Sequence, residues 1–565
     1  MTYQPRVVKA PRMAGGMLKL SAGLAESSLT GGLLAGTMLG SAGILEMRAT
    51  PCDEALVLQP PRLPRQTPGG DAAPPVPDLA ALEGLAPGPG FRFETARDFA
   101  RAYREGRTSP LQVAERVLER TRESEERDPA MRLFIAQQRD DVLAQAHEAT
   151  ERWQHGKPLS ALDGVPVAVK DEIDQRGYPT TVGTRFLGTA PAAEDAGSVA
   201  PLRRAGAVLI GKANMHEIGI GVTGLNPHHG AARNPYDPTR APGGSSSGPA
   251  ACVGAGLCPL AVGADGGGSI RIPASFCGVV GLKPTFGRVS ERGAAPLCWS
   301  VAHIGPIAAT VADAALGLAY MAGPDPRDPN THGRPPVTLD GLGQADLHGV
   351  RVGVQPAWLE DADAAVVEQC RRGIDLLRAA GADVREIDLE DLQLVRAVHV
   401  TTIVTEMATA HLHHYAEHRK DYSLEVRLNL ALARKLTATD YVHAQRLRAR
   451  ICGRVASVLA GVDVIAIPAT GCTAPLLPRD ALKSGESNLE VMERIMRFST
   501  LANLTGLPAI SVPAGYDTTG LPVGLQLLGR AFEEHLLLRL AAVVEQGVER
   551  RAPQVHYCLL PEAAS

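Results

Sequence analysis

The sequence predicts an α/β fold with a buried central sheet. Short apolar runs at residues 165–169, 208–210, 350–354 and 464–467 each end in a polar or Gly/Pro break, as strands do. Helical patterns separate them, and this alternation belongs to a sheet whose strands are covered by helices. Composition agrees: hydrophobic residues make up 45% of the 565 and charged ones 21%, enough apolar material for a large core.

Taken in order, residues 1–50 read as an amino-terminal helical extension. Met13, Met17, Leu20 and Leu24 share one helical face, with Arg12 and Lys19 elsewhere. That pattern suits a helix lying on a membrane surface, and equally one packed onto the main domain. Residues 27–45 carry no charge, but five are glycines, which argues against a membrane-spanning helix. No secretory signal is expected either. Ten prolines in residues 51–90, without sustained apolar periodicity, indicate a linker or extended wrap. The remainder, 91–565, reads as one catalytic domain. Ser109 and Pro110 signal a helix start, followed by Leu111, Ala114, Val117 and Leu118 at helical spacing.

Fifty-seven basic against 61 acidic side chains leave a formal charge of -4, which excludes nucleic-acid binding driven by bulk charge. The nine cysteines form no CxxC pair, so neither a disulfide scaffold nor structural zinc is expected. A reducing, intracellular setting follows, cytoplasmic or peripheral on a membrane.

Two glycine-serine clusters carry the chemistry, Gly243-Gly244-Ser245-Ser246-Ser247-Gly248 and Asp265-Gly266-Gly267-Gly268-Ser269-Ile270-Arg271. Consecutive glycines let backbone N–H groups converge on an anion, either a phosphate or the oxyanion of acyl transfer. The Gly-Lys-Ser/Thr of a phosphate loop is missing, which favours a nucleophile after the glycines, Ser269. No histidine lies between His229 and His303 to serve as its base. Lys170 ends the apolar run 165–169, and burial there would lower its proton affinity and free a neutral amine. The competing reading pairs Lys170 with Asp171, Glu172 or Asp174 as a structural ion pair.

These clusters, together with Gly164-Val165-Pro166-Val167-Ala168-Val169-Lys170-Asp171, Gly211-Lys212-Ala213-Asn214-Met215-His216-Glu217 and Cys277-Gly278-Val279-Val280-Gly281-Leu282-Lys283-Pro284-Thr285, resemble the amidase signature family. The resemblance runs over residues 163–306 and resumes near Leu501 with Thr505-Gly506-Leu507-Pro508-Ala509 and Gly520-Leu521-Pro522-Val523-Gly524-Leu525-Gln526. It implies the amidase signature fold, a large central mixed β-sheet surrounded by helices. It also implies a Ser-Ser-Lys triad of Ser269 as nucleophile, Ser245 as proton shuttle and Lys170 as base, with a cis peptide bond entering Ser245. Gly266, Gly267, Gly268 and Ser269 would hold the oxyanion, and neither metal nor organic cofactor is needed.

Within the family, the chain is most similar to plant-type fatty acid amide hydrolases. That likeness implies cleavage of N-acylethanolamines or related fatty acid amides and a homodimer; peripheral membrane contact is expected from the amino-terminal helix, and no nucleic-acid partner from the charge balance. The alternatives are a short-chain or aryl amidase and a glutamyl-tRNA amidotransferase A-like subunit. One departure is Pro249, where the family usually carries a small polar residue; its missing N–H puts a hydrogen bond near Ser245 in doubt. Residues 347–500 offer no motif.

Three further patterns compete. Gly244-Ser245-Ser246-Ser247-Gly248 matches a nucleophile elbow, but it follows the turn-rich Asn234-Pro235-Tyr236-Asp237-Pro238 rather than a strand. Gly219-Ile220-Gly221-Val222-Thr223-Gly224 matches a dinucleotide fingerprint whose following helix Asn226-Pro227 would break. His411, His413, His414 and His418 read as a solvated helix face rather than a metal site. Cys277 reads as a packing residue, and Asp265 and Arg271 as braces of the glycine loop.

Overall fold

The computed structural model describes residues 10–55 and 88–561, together with Tyr3, Val8, Leu79, Leu82 and Leu85. Most of the proline-rich stretch at 51–90 lies outside the described residues. In chain order the strands are β1 (Met13–Ala14), β2 (Phe134–Ala136), β3 (Pro166–Lys170), β4 (Val208–Ala213), β5 (Leu260–Ala264), β6 (Val280–Lys283), β7 (Ile304–Ala308), β8 (Arg351–Val354), β9 (Asp383–Glu386), β10 (Val464–Pro468), β11 (Glu486–Ser487), β12 (Ala509–Tyr516) and β13 (Pro522–Gly529). Eleven of them form one sheet in the order β2-β4-β3-β5-β7-β6-β12-β13-β10-β8-β9. It is mixed: β3 runs parallel to β4 and β5, and β8 parallel to β9 and β10, while β12 and β13 form an antiparallel pair. The four apolar runs of the sequence are β3, β4, β8 and β10.

Every residue of β3 to β7, β10, β12 and β13 is buried, which is why these segments read as near-continuous apolar runs without alternation. Helices cover both faces. The helix Ser247–Gly254 packs on β3 and β5, and Arg271–Phe276, Ala364–Ala379 and Glu534–Gly547 pack on β12 and β13. Each Val, Leu or Ile enclosed this way contributes about 1.5–3 kcal/mol. The helix expected after Ser109 spans Pro110–Glu125, opened by a capping box between Ser109 and Gln112.

Three helices, Gly15–Glu26, Gly31–Ser41 and Ile44–Ala49, make up the amino-terminal extension. Leu18, Ala22 and Ala25 pack against Leu428 and Ala431 of the helix Leu424–Ala433. Ile44 and Met47 share a core with Val398 of the helix Leu392–Ala410 and Leu447 of Ala438–Gly461. Ion pairs Glu26–Arg427 and Arg48–Asp440, at 2.8 and 2.7 Å, tie the extension down. The expected apolar face differs from the packed one. Met13 is buried in β1, whereas Met17, Leu20 and Leu24 are 51%, 63% and 37% exposed. The helix docks through Leu18 and the small residues Ser21, Ala22 and Ala25, and turns Met17, Leu20 and Leu24 to solvent. Gly43, at φ 84°, divides the uncharged stretch into two helices. Among the described residues, no helix is long and apolar enough to cross a membrane.

Candidate active site

Lys170 is the last residue of β3 and is 1% exposed. Its Nζ donates to Ser245 Oγ at 2.8 Å, to Glu172 Oε1 at 3.0 Å and to the Ala264 carbonyl at 3.4 Å. Burial disfavours the charged amine and the Glu172 carboxylate favours it; burial wins, so Lys170 gives up its proton at lower pH than an ordinary lysine. Of the three carboxylates near it in sequence, Glu172 is the partner. Asp171 turns the other way, accepting from Thr181 and the Gly183 N–H and lying 3.5 Å from Lys212, while Asp174 accepts from Thr180. The ion-pair reading and the base reading of Lys170 thus coexist in one geometry.

Ser245 precedes the helix Ser247–Gly254 and is entered by a cis peptide bond from Gly244. Its carbonyl accepts the N–H groups of Ser247 at 2.9 Å and His216 at 3.1 Å. Ser246 is committed to structure: its hydroxyl donates to the Ala264 carbonyl at 3.1 Å and accepts the Ala264 N–H at 3.3 Å. No strand leads into this turn, which removes the nucleophile-elbow reading. Pro249 falls in the first turn of the helix, where an N–H has no intrahelical acceptor, so the doubt it raised is resolved without cost. The neighbouring Gly248 N–H donates to Asn214 at 2.7 Å.

The second cluster links β5 to the helix Arg271–Phe276. Asp265 braces it, accepting from the Gly268 N–H at 2.6 Å, the Ile270 N–H at 3.1 Å and the Arg271 guanidinium at 2.9 and 3.0 Å. Burial opposes the Asp265 charge, but Arg271, Lys283 and the Asn503 amide hold the carboxyl below the usual range. Arg271 also donates to Ser499, Gln526 and Asn503. Gly268 has φ +119°, and a Cβ there would meet Ser499 at 2.6 Å, so only glycine fits. Because the Gly268 N–H is spent on Asp265, it drops out of the expected oxyanion set. The N–H groups of Gly266, Gly267 and Ser269 have no acceptor among the described residues.

The structure brings Lys170 and Ser245 into direct contact. Ser269 joins them through its carbonyl, which accepts the Ser246 N–H at 3.3 Å; among the described residues its hydroxyl makes no hydrogen bond, and the residue is 6% exposed. A cavity of about 210 Å³ opens beside this group, lined by Lys170, Ser245 and Gly266 below and by Leu297 and Trp299 above. A larger cavity of about 760 Å³, walled by Phe93, Trp153 and Leu316, holds none of these groups and is separate from the chemistry.

Sequence reasoning missed His399 and Ser499, both within the stretch that offered no motif. His399 Nε2 lies 2.7 Å from the Gly266 carbonyl and donates to it, and Ser499 donates to the Gly267 carbonyl at 2.6 Å. In a trans peptide the N–H points opposite the carbonyl, so His399 aims the Gly267 N–H away from itself. Burial drives His399 down to about 4, so it is neutral near pH 7. Of the histidine cluster, His411 bonds to the Tyr422 hydroxyl and His418 to Asp421. Among the described residues, no three His, Cys, Asp or Glu side chains gather as a metal would need. The glycine triplet at 219–224 ends a short 3-10 turn with no helix behind it, and Cys277 is fully buried.

The amidase family model matches residues 112–538. The chain belongs to the amidase family. This amidase is 41% identical over 570 residues to a fatty acid amide hydrolase of Oryza sativa subsp. indica, covering 96% of this chain and 94% of the relative. It is 38% identical over 587 residues to the fatty acid amide hydrolase of Arabidopsis thaliana, covering 99% and 96%. Among solved structures, the native peptide amidase from Stenotrophomonas maltophilia superposes on it with a TM-score of 0.70 at 28% identity, covering 81% of the amidase and 98% of that chain. The mixed sheet and its helical layers are therefore those of the family.

Proposed function

We propose that this amidase hydrolyses fatty acid amides, N-acylethanolamines among them, to a fatty acid and an amine. The observation that carries the reading is a buried lysine amine 2.8 Å from the Ser245 hydroxyl, beside a glycine loop with three uncommitted N–H groups. Neutral Lys170 takes the Ser245 proton as Ser245 takes that of Ser269, and Ser269 Oγ bonds to the substrate carbonyl carbon. The N–H groups of Gly266, Gly267 and Ser269 receive the oxyanion, each worth about 10²–10³ in kcat. When the carbon–nitrogen bond breaks, Ser245 protonates the departing amine and recovers a proton from Lys170. Water then attacks the Ser269 ester along the same proton path and releases the acid.

Likeness to the rice and Arabidopsis hydrolases over nearly the whole chain, extension included, supports a fatty acyl substrate. The outward Met17, Leu20 and Leu24 supply an apolar face for docking on a lipid surface, where such substrates partition. An alkyl fluorophosphonate tests the nucleophile: label is expected on Ser269 and absent from Ser269→Ala. Label on Ser246, or label that persists in the variant, overturns the mechanism.

A further inference from the structure

The cavity beside Lys170 and Ser245 contains an acid that the proposed mechanism does not use. Glu291 lines it together with Glu172, Ser245 and Gly266. Glu172 is occupied by Lys170, but the Glu291 carboxyl makes no hydrogen bond to any described residue. Its position is firmly set. The Glu291 N–H donates to Asp328 at 2.9 Å, the Asp174 N–H to the Gly293 carbonyl at 2.8 Å, and the Ala295 N–H to the Glu172 carbonyl at 2.7 Å. The segment carrying Glu291 is thereby stitched to the segment that follows the lysine.

Glu291 is only half-buried by surface area because the cavity in front of it is open, while protein surrounds it on the other sides. Burial first, then the acidic groups Asp328, Glu406 and Glu172, push its carboxyl well above the usual range. It holds its proton to higher pH than an ordinary carboxyl, and in the protonated form offers both an O–H donor and a carbonyl acceptor.

The direction of the reaction assigns this space. The departing nitrogen must come within hydrogen-bond reach, about 3 Å, of Ser245 Oγ, since that hydroxyl protonates it. The oxyanion lies toward the glycine loop. The substituent on nitrogen then extends into the cavity that Ser245 shares with Glu291, whose other lining includes Leu297, Pro296 and Trp299. We propose that Glu291 is a specificity-determining residue for the amine half of the substrate, binding a hydroxyl carried on a short alkyl arm of the leaving amine.

This inference rests on the Ser269-Ser245-Lys170 reading but not on the length of the acyl chain, and its test keeps the two apart. The N-(2-hydroxyethyl) and N-propyl amides of one acid differ only in hydroxyl against methyl. Their ratio of kcat/KM is measured for the wild type, Glu291→Gln and Glu291→Met, once with a palmitoyl and once with a butyryl chain. The wild type is expected to favour the hydroxyethyl amide about tenfold, the size of one net hydrogen bond. Glu291→Gln, which keeps a donor and an acceptor, retains the preference, and Glu291→Met brings the ratio to about one. A wild-type ratio near one, or a preference that survives in Glu291→Met, overturns the proposal. Activity on butyryl amides alone would retire the long-chain reading and leave the ratio readable. Should Glu291→Met not fold, inhibition of the wild type by ethanolamine against propylamine decides: tighter inhibition by ethanolamine upholds the subsite, and equal inhibition removes it.

Discussion

Lys170 holds its proton through a contest between burial and Glu172. Because the folded protein lowers its proton affinity, the active neutral amine appears at lower pH than in free lysine, and kcat/KM rises with pH through that titration. Glu172→Gln removes the carboxylate that favours the charged form, so the rise moves to lower pH; a move to higher pH contradicts the assignment. Lys170→Ala lowers kcat by about 10²–10⁴-fold, the usual worth of a positioned general base. The brace behind the loop behaves differently. Arg271→Met leaves the fully buried Asp265 without its main counter-charge, and about 3–5 kcal/mol of stability is lost, read as a lower urea midpoint. Ser245, Ser269, Asp265 and Arg271 stand out in the sequence because each sits inside a short stretch of glycines and serines, and Lys170 because it ends an apolar run; the roles of Ser245 and Lys170 come from the family resemblance. The resemblance implies an oxyanion role for the Gly268 N–H, whereas in the fold that N–H donates to Asp265. Nothing in sequence says which way one peptide plane turns.

Helices carry the parts of the account that no local pattern announced. The helix Leu392–Ala410 brings His399 under the glycine loop from more than a hundred residues away, so its role appears only once the chain has folded. His399→Leu is expected to lower kcat about 10²-fold through a misdirected Gly267 N–H while KM holds, and His399→Gln, which restores a donor, to recover part of the loss. Equal changes in kcat and KM in both variants would mean that His399 serves packing alone. In the amino-terminal helix, periodicity revealed an apolar face but not its direction; Leu18, Ala22 and Ala25 pack on Leu428 and Ala431 instead, which leaves Met17, Leu20 and Leu24 outside. Deleting the extension would uncover that buried seam, so substitution is the cleaner probe. Met17→Glu with Leu20→Glu is expected to abolish co-sedimentation with phospholipid vesicles, each change costing under about 0.5 kcal/mol of stability. Undiminished sedimentation removes the docking face.

Across the whole molecule, the mixed sheet sets the site by placing the end of β3 beside the loop that leaves β5, its parallel neighbour. The alternation of apolar runs and helical patterns made the α/β class and four of the strands readable. Strand order was not, because parallel neighbours come from distant segments and pair by tertiary packing rather than by local turns. The support behind the glycine loop was equally illegible, since the helix Leu392–Ala410 meets that loop through His399, which no motif marks. The most direct measurement is therefore the hydrolysis rate of N-acylethanolamines of increasing chain length, beside short and aryl amides, for the purified wild type and Ser269→Ala. A rate that climbs with chain length and vanishes in the variant is the expected result; hydrolysis of short or aryl amides alone, or activity that survives in Ser269→Ala, contradicts the account.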